Sequence, residues 1–113
     1  MSAGSARTDA KDHPAENQVA ARLRAELERA TEQAAAGQAE YDALLADPDV
    51  IQEDRDGAAL LLEHARRQVE SAQAAIEHLE AGDYGRCVEC GESIGQARLA
   101  ALVDVTTCMN CAG

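Results

Sequence analysis

The sequence predicts a mainly α-helical protein, in which an antiparallel coiled-coil helical hairpin is followed by a small C-terminal four-cysteine zinc finger. Three observations predict it: two heptad seams, an acidic break between them, and two CxxC pairs near the end of the chain. Phe and Trp are absent and Tyr occurs twice, which excludes a large aromatic core. Because a chain of 113 residues buries a small share of its surface, a long helix–helix seam, a metal, or both must compensate.

The first seam predicts a long helix that starts near Pro14. Proline is favoured in the first turn of a helix, where its missing N–H costs nothing. The apolar and small residues then alternate at spacings of four and three, as the facing positions of a coiled coil do. They are Leu23, Leu27, Ala30, Ala34, Gly37, Tyr41 and Leu44. Gly37 is the weak point of this helix, since glycine costs about 1 kcal/mol relative to alanine.

The second seam predicts a second helix that ends near Gly82, where glycine suits a C-terminal cap. Pro48 and Gly57 interrupt the helical pattern between the seams, which favours a hairpin with a short acidic connection. The alternative is one continuous helix that dimerises in trans. The second seam consists of Leu62, Ala65, Val69, Ala72, Ile76 and Leu79.

These patterns divide the chain into three parts. We expect residues 1–12, which are small, polar and charged, to be disordered. Residues 13–82 form the hairpin, with an acidic tip near residues 46–57, and residues 83–113 form the zinc finger. The candidate tip residues are Asp47, Asp49, Glu53, Asp54 and Asp56.

The four cysteines, Cys87, Cys90, Cys108 and Cys111, have the spacing C-x2-C-x17-C-x2-C. This spacing is typical of structural zinc sites, in which four thiolates surround the metal tetrahedrally. Since protein fills all four positions, none is left for a catalytic water, and we expect one structural zinc. Iron also binds four thiolates, and the residues alone do not exclude it. A redox-active dithiol pair of the thioredoxin type is disfavoured, because the sequence lacks the βαβ pattern around such a pair.

The net charge of −11 disfavours tight binding to nucleic acid, which rests on clustered Lys and Arg. The N-terminal residues lack the apolar segment of a secretory signal, and no run approaches the length of a membrane span. We therefore expect a cytoplasmic monomer with no membrane partner and no sequence-specific DNA binding. An enzyme is not expected, because the sequence has no recognisable nucleophile–base pair or phosphate loop.

The residues around the cysteines form a fingerprint, Tyr84-Gly85-x-Cys87-x-x-Cys90-Gly91-x-x-Ile94-x-x-x-Arg98-Leu99-x-Ala101 followed by Cys108-x-x-Cys111. It resembles that of the DksA/TraR family of zinc-finger regulators. The resemblance implies a bacterial transcription regulator that binds RNA polymerase rather than DNA. It further implies that the finger docks at the rim of the secondary channel and that the acidic tip approaches the catalytic centre.

The tip of the best-known family members carries Asp-x-x-Asp-x-Ala, and the nearest stretch in this sequence is Glu53-x-x-Asp56-x-Ala58. Two other hypotheses share the same architecture. One is a zinc-stapled coiled-coil adaptor that binds a different protein. The other is a thiol redox sensor, in which oxidation releases the zinc and loosens the base of the hairpin.

Overall fold

The computed structural model describes residues 14–112, with side chains from residue 17 onward. Three helices lie in this part of the chain: α1 (Pro14–Ala46), α2 (Gln52–Ala81) and α3 (Gln96–Ala101). The molecule is an elongated rod of 67 × 33 × 18 Å. The predicted mainly helical class, a hairpin followed by a four-cysteine cluster, is confirmed. The expected disorder of residues 1–12 concerns residues outside the described range, and the predicted domain boundaries stay predictions.

The core of the hairpin is the pair of predicted seams. Every predicted seam position is buried or half-buried, and Leu23, Ala30 and Ala72 expose no surface. Ala75, which the seam pattern did not include, is also fully buried. Small residues let the two antiparallel helices approach closely, so that hydrophobic burial along one seam holds α1 against α2.

The connection between α1 and α2 is shorter than predicted. It consists of residues 47–51, because α2 already begins at Gln52. The expectation that Gly57 interrupts the helix is wrong, since Gly57 lies within α2 and its surroundings are open. One glycine costs a helix only about 1 kcal/mol, which the neighbouring turns and the seam offset.

The outer faces of the hairpin are polar. Ion pairs join Arg29 to Glu26 at 2.5 Å and Arg67 to Glu63 at 2.7 Å, each within one helix. Exposed pairs of this kind contribute little stability, so the seam carries the fold. Neither long helix has, over the described residues, a stretch apolar enough to pass through a lipid bilayer.

The finger follows α2 through a capped turn. Gly82 adopts the left-handed conformation (φ +84°), as the sequence predicted for a cap, and its N–H donates to the Leu79 carbonyl at 3.1 Å. The Asp83 N–H donates to the His78 carbonyl at 2.8 Å. The finger also contacts α1, because Arg22 donates to the Ala100 carbonyl at 3.3 Å. The base of the hairpin and the finger are thus joined at two points.

We expect Gly37→Ala to raise the free energy of unfolding of the hairpin by about 1 kcal/mol, the helix propensity gained. A Cβ at position 37 would lie 3.6 Å from Leu62 Cδ1, which is an ordinary van der Waals contact. Thermal unfolding followed by circular dichroism measures the change. Gly57→Ala is the control, because it gains the same propensity at a site with nothing within 4 Å. Destabilisation by Gly37→Ala alone would show that the seam has no room for a methyl group.

Candidate functional site

The first cysteine pair lies on a tight turn that backbone hydrogen bonds close. The Cys87 N–H donates to the Glu92 carbonyl at 2.8 Å, and the Gly91 N–H donates to the Cys87 carbonyl at 2.9 Å. Gly91 has φ +79°, a conformation that side chains disfavour, which explains the glycine directly after Cys90. Arg86 pairs with Ser93 in an isolated antiparallel bridge, so the turn resembles a short hairpin.

The second cysteine pair lies on a similar turn. The Cys111 N–H donates to the Cys108 carbonyl at 3.1 Å, and the Val88 N–H donates to the Thr106 carbonyl at 2.9 Å. The latter bond joins the two turns, so that both pairs of sulfur atoms face one point. The short helix α3 lies between them in sequence.

The structure brings together all four predicted cysteine sulfurs, which lie within 4.8 Å of one another. The Cys90 and Cys108 Sγ atoms are 3.7 Å apart. Zn–S bonds of about 2.3 Å in a regular tetrahedron place neighbouring sulfurs about 3.8 Å apart, so the cluster fits the ion. Cys87 and Cys108 are buried, and His, Asp and Glu side chains take no part in this cluster.

Backbone amides favour the thiolate form of Cys87. They lower the pKa of its thiol to about 6, with the Cys108 amide contributing most and burial opposing it. The N–H of Glu89 also points at this sulfur, at 3.4 Å. A sulfur that accepts several N–H donors is prepared to carry negative charge, as a metal-bound thiolate does.

Close contact among the four thiols raises the pKa of two of them, Cys90 and Cys111. Hydrogen bonds to the Cys108, Cys87 and Cys90 sulfurs raise the pKa of Cys111 to about 12. For Cys90 the amide of Glu92 lowers the pKa, but burial and the Cys108 and Cys87 sulfurs outweigh this and raise it. At least two thiols therefore hold their protons at neutral pH until a cation compensates the charge.

Zinc affinity should consequently rise with pH. Cys90 and Cys111 are protonated at pH 7, and zinc binds the thiolate, so binding releases at least two protons. We expect the association constant to increase at least about 100-fold per pH unit near pH 7, and more steeply below pH 6, where Cys87 is protonated as well. Competition with a chromophoric chelator between pH 5.5 and 8 measures it. A slope near tenfold per unit, which corresponds to release of one proton, would contradict this protonation pattern.

Two side chains brace the finger. The Tyr84 hydroxyl donates to the Val103 carbonyl at 2.7 Å, and Arg98 donates to the Thr107 carbonyl at 3.0 Å. Ile94 is the buried aliphatic residue of the finger core, and Leu99 and Val105 pack against it. The core is therefore small, and the Arg98 hydrogen bond adds to the backbone bonds that hold the chain at Cys108.

The five predicted tip acids all lie exposed at the far end of the hairpin from the cysteine cluster. Asp47 Oδ1 accepts the Asp49 N–H at 2.9 Å, and Asp56 accepts from the Gln52 side chain at 2.8 Å. Sequence reasoning missed Arg55, which donates to the carbonyls of Leu44 and Asp47 at this tip. A functional role for the acids stays a prediction, since the structure shows only where they lie.

The hairpin and its cysteine cluster define the class: a coiled-coil protein with a C4-type zinc finger. Residues 82–113 match the sequence profile of the prokaryotic dksA/traR C4-type zinc finger. This match confirms the resemblance seen in the sequence and favours zinc over iron. The expectation of one structural zinc agrees with the match and with the spacing of the four sulfurs.

The similarity extends beyond the finger. The chain is similar to the solved structure of transcription factor DksA2 from Pseudomonas aeruginosa, with 26% sequence identity and a TM-score of 0.75 over 88% of this chain and 81% of that chain. No curated protein sequence gives a significant match. The similar structure is that of a transcription factor, and the expectation that the protein is a regulator rather than an enzyme agrees with both findings.

Proposed function

We propose that this protein regulates transcription by binding RNA polymerase at its secondary channel, not by binding DNA. The observation that carries the proposal is the similarity to transcription factor DksA2 over 88% of the chain, together with the finger match at residues 82–113. The protein acts in the cytoplasm as a monomer. On this proposal, Cys87, Cys90, Cys108 and Cys111 hold one structural zinc.

The shape of the molecule supports insertion into a narrow channel. The rod is 67 Å long and only 18 Å thick in its smallest dimension. A helix of 30 residues spans about 45 Å, so the finger and the tip are separated by most of that length. A finger bound at the channel rim could thus present the tip deep inside the partner.

The charge distribution supports a protein partner with a basic or metal-containing surface. The net charge is −11, and five acids lie at the tip. Duplex DNA would repel such a surface, whereas a basic channel would attract it. In this division of labour, the finger provides affinity and the tip acts electrostatically.

The experiment that tests the proposal is a binding measurement between the purified zinc-loaded protein and bacterial RNA polymerase. We expect a one-to-one complex that still forms at about 0.2 M salt. Salt at this concentration screens the attraction between charges, but specific contacts of the finger remain. A charge-matched acidic coiled coil without a finger is the control. If binding is absent, or equals that of the control, the polymerase proposal fails and the adaptor hypothesis gains.

A further inference from the structure

A single basic side chain lies at the acidic tip. Arg55 is the only lysine or arginine between Arg29 and Arg66 in the sequence. It belongs to the first turns of α2, yet its Nε donates to the Leu44 carbonyl at 3.4 Å and its Nη2 donates to the Asp47 carbonyl at 3.0 Å. The side chain therefore crosses from the start of one helix to the end of the other.

The end of α1 is a place where a cationic donor is favourable, and Arg55 adds to the Asp47 N–H that already donates to the Leu44 carbonyl at 3.3 Å. The last carbonyls of a helix have no partner within it and carry a partial negative charge. The last turn of α1 contains no basic residue of its own. Arg55 supplies the missing cation from α2, and it is half-buried, whereas the tip acids are exposed.

The connecting loop is held from both sides at Asp47. Arg55 donates to the Asp47 carbonyl, and the Asp47 carboxylate accepts the Asp49 N–H at 2.9 Å. The N–H of Asp54 then donates to the Ile51 carbonyl at 3.1 Å, where α2 begins. Arg55 thus links the end of α1, the loop and α2. Without its side chain, the same two carbonyls keep only backbone bonds, from the Asp47 N–H to Leu44 at 3.3 Å and from the Val50 N–H to Asp47 at 3.4 Å.

We propose that Arg55 is the positioning residue of the tip, which fixes the loop of residues 47–51 and thereby the direction in which Asp49 points relative to Glu53 of α2. The functional part of this inference rests on the proposed regulation of RNA polymerase. Arg55 does not itself act on the partner. It removes the loop's freedom before binding, so that the partner does not have to order it.

The experiment compares Arg55→Met, Arg55→Lys and the control Arg67→Met, whose arginine makes an ion pair with Glu63 on the same helix. In Arg55→Met, we expect the amide order parameters of Asp49 and Val50 to fall from about 0.85 to below about 0.6. Polymerase binding should stay within about threefold, while the effect on transcription at saturation falls about tenfold. Arg55→Lys should recover part of both readouts, because an ammonium reaches one carbonyl at a time.

The outcomes separate the inference from the function on which it rests. Unchanged order parameters in Arg55→Met would overturn the inference, whatever the transcription assay shows. A loosened loop with full regulation would overturn the positioning role. If the parent chain does not bind polymerase, the proposed function fails, and the order parameters alone then decide whether Arg55 holds the loop. An equal loss of order parameters and of regulation in Arg67→Met would overturn the inference, because it would show a general effect of removing a positive charge.

Discussion

The Cys90→Ser variant is expected to lose tight zinc binding and to unfold the finger, while the hairpin stays helical. A hydroxyl is a poor ligand for zinc compared with a thiolate. Loss of a residue that only hydrogen-bonds to a ligand costs about 10–100-fold in metal affinity, so loss of a ligand itself should lower zinc affinity more than about 100-fold. Zinc binding supplies about 10–16 kcal/mol of folding free energy in such sites. Burial of Ile94 supplies only about 2 kcal/mol, against about 1.5 kcal/mol for each residue that becomes ordered.

Two measurements check this result. Elemental analysis should give one zinc per parent chain and little in Cys90→Ser. The control is Asn110→Ser, which lies between Cys108 and Cys111 and leaves all four cysteines in place. Far-UV circular dichroism should keep most of its signal, since α1 and α2 contain 33 and 30 residues and α3 contains six. Complete loss of helix would show that the zinc site nucleates the whole fold. A full complement of zinc in Cys90→Ser would remove Cys90 from the ligand set.

Neutralising the tip with Glu53→Gln and Asp56→Asn together is expected to abolish the effect on transcription but leave polymerase binding within a few-fold. The two changes remove charge while keeping side-chain shape, and both side chains are exposed, so the helix content should not fall. Asn at position 56 retains an oxygen that can accept from Gln52, as Asp56 does at 2.8 Å. If the acids act electrostatically at a basic or metal site, the loss appears in activity rather than in affinity.

The matched control is Glu28→Gln with Glu32→Gln, which removes the same charge from exposed positions of α1 away from the tip. In vitro transcription and a binding titration are run on all three proteins. Regulation by the tip variant at the parental level would make the tip a solvated loop and favour the adaptor hypothesis. Loss of binding by the tip variant alone would show that the tip provides affinity, contrary to the proposed division of labour.

The sequence predicted those parts of the molecule that follow from periodicity and spacing. The seams were predictable because coiled-coil contacts recur every three and four residues, and the metal centre because each CxxC places two sulfurs on one turn. Helix α3 was not predicted, since six residues are too few to show a period. The role of Arg55 depends on where α1 ends. Any residue type supplies a backbone carbonyl, so the bonds that Arg55 makes produce no recognisable sequence motif. Its isolation among acids is the one sequence feature that could have indicated it.

The antiparallel arrangement of α1 and α2 has a consequence for how the chain folds. Residues near the loop of residues 47–51 meet after closing a short stretch of chain, as Leu44 and Arg55 do, whereas Arg22 and Ala100 are 78 residues apart. Closing a longer loop costs more entropy, so pairing is expected to start at the loop and to proceed towards the termini like a zipper. Pulse-labelled hydrogen exchange should show protection at Leu44 before Val19. The finger would then close last, on a hairpin that is already assembled.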